Sequence, residues 1–109
     1  MKLYNLLNFT KGWFVGNFTP TIISSDEVEI AIKRYKANDH DNAHHHLIAD
    51  EITVVVDGVV KMNNIIYNKD DVILIEKGDV TDFTALTNAI TCVVKIPCIK
   101  GDKYERMDN

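Results

Sequence analysis

His44 and His46 stand two residues apart in the run Ala43-His44-His45-His46, and Glu51 follows shortly after. Side chains alternate along a strand, so His44 and His46 are expected on one face and His45 on the other, toward solvent or a partner subunit. Glu51 has the wrong parity for one continuous strand. It is expected across a bend supplied by Leu47-Ile48-Ala49-Asp50, or on the next strand, where its carboxylate meets the two imidazoles. Two imidazoles and one carboxylate make a facial set suited to a divalent ion such as Fe, Mn, Ni or Zn. The same groups without metal make a polar pocket. Arg34 shares strand parity with Val28, Ile30 and Ile32, which directs its guanidinium toward the interior or its rim as an anchor for a ligand carboxylate or phosphate.

Such a site needs strands to hold it. Val28, Ile30 and Ile32 alternate with Glu29, Ala31 and Lys33, and Ile52, Val54 and Val56 alternate with Thr53 and Val55. Asn38 to Asn42, Asp57-Gly58, Asn63-Asn64, Asn68 to Asp70 and Glu76 to Asp79 read as turns, with Asp57-Gly58 as a hairpin. Residues 1–9 suit one helical turn or an edge segment, and Thr21-Ile22-Ile23 an edge strand. Nine or ten short strands with turns every 8–12 residues, and no long helix, predict an all-β sandwich or barrel. Lys33 and Tyr35 fall on the surface parity, Cys92 on the core parity with Ile90, Val94 and Ile96, and Lys95 on the opposite face. His40 reads as a solvated turn residue. Trp13, Phe14 and Phe18 suit a core or dimer contact, or an aromatic wall for a sugar ring.

The spacing Asn38, His44-x-His46, Glu51, Gly58 resembles the first motif of the cupin superfamily, with Asn38 in place of the opening glycine. That resemblance implies a cupin-type double-stranded β-helix, or jelly-roll barrel, over about residues 10–97. The family's second motif falls on Asp70, Glu76, Gly78 and Thr81. Gly78 is kept; Thr81 stands where the fourth ligand, a histidine, belongs, and a threonine hydroxyl is a poor metal ligand. The resemblance thus implies a metal set reduced to His44, His46 and Glu51, with Thr81 lining an open position. The Lys-Gly-Trp-Phe start and Val-Lys-Ile-Pro end are similar to those of small single-domain cupins loosely associated with carbohydrate-modifying gene sets.

At 109 residues, 46% hydrophobic and 26% charged, the chain suits one globular domain spanning 1–109, with a charged, loose tail at 100–109. A net charge of −4 with scattered basic residues argues against nucleic acid as a partner. The start lacks a signal-like apolar run and no segment is long enough to cross a membrane, so a cytoplasmic protein with reduced Cys92 and Cys98 is expected. Exposed edge strands make a homodimer the expected assembly. Three functions remain open: a metal-dependent enzyme or binder acting on a small polar molecule such as a sugar derivative, a metal-free binding or regulatory module, and a metal-independent isomerase or epimerase.

Overall fold

Period-two alternation, broken by residues that accept a left-handed backbone, gives this chain its strands. The computed structural model describes residues 1–105 and holds ten strands among them. They are β1 (Trp13–Val15), β2 (Glu29–Tyr35), β3 (His40–His45), β4 (Asp50–Asp57), β5 (Val60–Met62), β6 (Ile65–Tyr67), β7 (Val72–Ile75), β8 (Thr81–Ala85), β9 (Ala89–Ile96) and β10 (Tyr104–Glu105). Two five-stranded antiparallel sheets form, in the orders β1-β2-β9-β4-β7 and β10-β3-β8-β5-β6. Short 3-10 turns at Leu6–Asn8 and Thr10–Gly12 precede β1. Thr21-Ile22-Ile23 makes only an isolated bridge, Val15 to Ile23, rather than an edge strand.

Turn chemistry explains the breaks. Asn38, Asn63, Asn64 and Asp70 all have positive φ, as does Gly78. Asn63-Asn64 closes the β5–β6 hairpin with both central residues left-handed. Asp57-Gly58 behaves differently from the expected hairpin. Only Gly58 is left-handed, and β4 and β5 lie in different sheets, so this turn carries the chain across the sandwich.

The expected loose tail is also corrected. Asp102 is buried, and β10 pairs with β3, setting Tyr104 opposite His45 and Glu105 opposite His44. The remaining tail positions, 106–109, lie outside the described residues.

An apolar plug of Val55, Val60, Met62, Ile75, Phe83, Ala85 and Ala89 fills one end of the space between the sheets. Toward the other end the inward positions turn polar. Lys33, Thr91 and Val55 form one inward row, and Glu29, Lys95 and Glu51 another. The outward rows of the same sheet are apolar: Ile30, Val94, Ile52 and Leu74 in one, Ile32, Cys92, Val54 and Val72 in the next. The usual assignment of the more apolar parity to the core is therefore inverted here. Arg34 is exposed on the outer side and Cys92 shares that face, while Lys33, Tyr35 and Lys95 are turned inward.

Candidate functional site: a polar chamber between the sheets

The inward polar residues enclose a chamber of about 70 Å³. Lys33, Tyr35, Glu51, Thr53, Thr91 and Lys95 come from the first sheet, with Trp13. His44, Asp41, Thr81 and Asp82 face them from β3 and β8, and Met62 and Phe83 form the apolar floor. Lys103 reaches the same wall from the docked tail. Beyond Trp13 the chamber adjoins an open vestibule of about 430 Å³ that shares Trp13, Lys33, Lys95 and Lys103 with it. Of the expected aromatic wall, Trp13 lines both spaces and Phe18 lines the vestibule; Phe14 lines neither.

His44 lies opposite Thr81 in the β3–β8 register, so the motif's fourth-ligand position does face this site. His44 and His46 share a side, with ring centroids 5.3 Å apart in an edge-to-face contact. Glu51 begins the inward face of β4 after the chain crosses between sheets at residues 46–49, and its Oε2 accepts a 3.2 Å hydrogen bond from Thr53 Oγ1. His45 stacks on Tyr104 with centroids 5.5 Å apart, within its own protomer. His40 is exposed, 2.8 Å from Thr84 Oγ1. Asp82, next to Thr81 in the chamber lining, accepts a 2.8 Å hydrogen bond from the backbone N–H of Asn63.

The crossing link has its own anchor. Asp102 accepts backbone hydrogen bonds from Leu47 at 3.0 Å, Ile48 at 3.1 Å and Ala49 at 2.9 Å. Gly78 donates its N–H to the His46 carbonyl at 2.6 Å. Sequence reasoning missed Asp102 because its partners lie more than fifty positions away, with no local signature.

Burial sets the electrostatics. It pushes the Tyr35 hydroxyl pKa well up, with Asp41 adding to the effect, so the phenol stays protonated. Burial lowers the Lys33 pKa; nearby Asp41 opposes this, and Lys103 and Lys95 reinforce it. His46 falls to about 4 through burial, Lys95 and His44, and so is neutral at pH 7. Burial alone would raise the Asp102 pKa, but the three N–H donors outweigh it and hold it below the usual carboxyl range.

A divalent ion fits these residues poorly. Among the described residues no three His, Cys, Asp or Glu side chains converge closely enough to hold one. The expected set of His44, His46 and Glu51 does not close. His44 and Glu51 line the chamber, but His46 sits at the start of the crossing link, buried, with Nε2 unpartnered among the described residues. Lys95, the direct strand neighbour of Glu51, also lines the chamber, with its ammonium 3.7 Å from Glu29 and 5.1 Å from the Trp13 ring centroid.

Comparison with solved structures identifies the architecture. A double-stranded β-helix protein from Klebsiella pneumoniae matches with a TM-score of 0.68 at 14% identity, over 77% of this chain and 74% of that one. An RmlC-like cupin from Shewanella frigidimarina matches at 0.63 and 15% identity, over 71% of each chain. The polyketide cyclase RemF from Streptomyces resistomycificus matches at 0.66 and 14% identity, over 78% of this chain and 64% of that one. The chain therefore has the double-stranded β-helix fold of the cupins. No family sequence model matches it, and no curated protein does. Identities this low establish fold and leave chemistry to the site. No helix among the described residues is long and apolar enough to cross a membrane.

Proposed function

We propose that this protein is a small-molecule-binding cupin domain whose chamber takes a compact polar ligand group through hydrogen bonds and ammonium contacts, without a resident metal. Thr91 carries the reading. It is 1% exposed, lines the chamber, and has only the neighbouring Tyr35 hydroxyl to bond with, a contact short of good hydrogen-bond geometry, so its Oγ1 keeps capacity for a ligand. A buried hydroxyl left wholly unpaired costs about 1–3 kcal/mol, so a ligand group that completes the pairing of Thr91 recovers part of that. Turning Lys33, Tyr35, Glu51 and Lys95 inward while isoleucines and valines face out adds to that cost. The chamber holds only two or three water volumes, so any larger ligand keeps its remainder in the vestibule.

A thermal-shift panel of sugars, sugar acids and sugar phosphates on untagged protein tests this reading, together with metal analysis of the same sample. A shift that depends on Thr91 supports it. No shift across the panel removes the ligand reading, and stoichiometric metal lost in His46→Ala removes the metal-free part.

One observation favours a catalytic version of the same site. Tyr35, held protonated by burial, and His44 both line the chamber, which supplies a proton donor and a base for metal-independent isomerisation. Solvent-deuterium incorporation into a keto-sugar, lost in Tyr35→Phe and in His44→Ala, would support that version. Its absence leaves a binding module.

A further inference from the structure

The vestibule is cationic although the chain is acidic. Lys11, Lys33, Lys95, Lys100 and Lys103 line it, five of the twelve basic residues in a protein of net charge −4, against a single carboxylate, Glu29. Among the described residues the only ion pair is Lys95 to Glu29 at 3.7 Å, and no described carboxylate lies within pairing distance of the other four ammoniums, although Asp41 acts on Lys33 from the chamber side. Lys33 and Lys95 stand 5.5 and 5.1 Å from the Trp13 ring centroid, which holds both stems at the passage between vestibule and chamber. Like charges gathered around one concavity repel one another and focus a positive potential into it.

We propose that the vestibule is an anion subsite and that the ligand is a small hydroxylated organic anion. Its carboxylate or phosphate lies among Lys33, Lys95 and Lys103, and its neutral end reaches the chamber. This rests on the ligand reading above. Calorimetric titration of the full chain with glucose 6-phosphate, galacturonate, glucose and galactose separates the two ideas. At least one anionic probe is expected to bind ten-fold or more tightly than its neutral counterpart, and to weaken as NaCl rises from 50 to 500 mM. The double change Lys33→Gln with Lys103→Gln should cost a further ten-fold, while exposed Lys69→Gln changes nothing. Which anionic probe binds identifies the head group. Equal binding of neutral and charged sugars, or a salt-independent affinity, overturns the anion subsite and leaves the chamber reading standing. If no probe binds, both fall. Should the double variant misfold, the salt series on the unaltered chain decides.

Discussion

Asp102→Ala is expected to be among the most damaging single changes in this protein, although the residue lies in a stretch that looks like a charged tail. Its carboxylate is 5% exposed and accepts the N–H groups of three consecutive residues, Leu47, Ile48 and Ala49. Hydrogen bonds to a charged acceptor contribute about 1.5–3 kcal/mol each. Leu47 and Ile48 are half exposed, so water can replace part of what their N–H groups lose; Ala49 is 2% exposed and its N–H cannot be rescued in that way. The sum for Asp102→Ala is about 3–5 kcal/mol, against a total of about 5–15 kcal/mol for a domain of this kind. Asp102→Asn keeps one acceptor oxygen but presents an amide donor to N–H groups, for a cost of about 2–3 kcal/mol.

Urea unfolding gives the measurement, and the pH dependence gives the sign. The folded-state pKa of Asp102 lies below the ordinary value of 3.8. Its stabilisation is therefore complete above the unfolded-state pKa and is lost as pH falls through the folded one. The gap between wild type and Asp102→Ala should be constant from pH 7 to pH 5 and shrink under stronger acid. A loss below 1 kcal/mol at pH 7, or a gap that widens in acid, would refute the three-bond anchor.

Three further outcomes are expected. His46, with its pKa near 4 against 6.5 unfolded, refuses a proton that the unfolded chain accepts. Stability should therefore fall by on the order of 3 kcal/mol between pH 6.5 and 4 in urea titrations, and His46→Leu should flatten that limb. Thr91→Val removes the buried chamber hydroxyl beside Tyr35 and should cost the ligand-free protein about 1 kcal/mol while weakening the best ligand of the thermal-shift panel; a variant with intact ligand binding would contradict the chamber reading. Gly58→Ala places a Cβ against the Asn88 carbonyl at φ +86° and should cost about 2–4 kcal/mol by the same unfolding assay.

The turns were legible in the sequence because they are local. Asn38 and Asp70 advertise positive φ through short polar side chains, and Gly78 through the lack of one; each has it. The bend that takes Glu51 off the strand of His44 was legible from parity alone, and β4 indeed begins after a crossing between sheets. Facing was not legible. Alternation says that two faces differ, and only the assumption that apolar means buried says which is inside. Arg34 and Cys92 were expected inward on that assumption, and Lys33, Tyr35 and Lys95 outward. Each lies on the other side, because the inward parity of β2, β4 and β9 is spent on the chamber. Polar groups inside and isoleucines outside are two sides of one compromise. A chamber lined by Lys33, Glu51, Thr91 and Lys95 gives up apolar burial that a domain of 109 residues can ill spare.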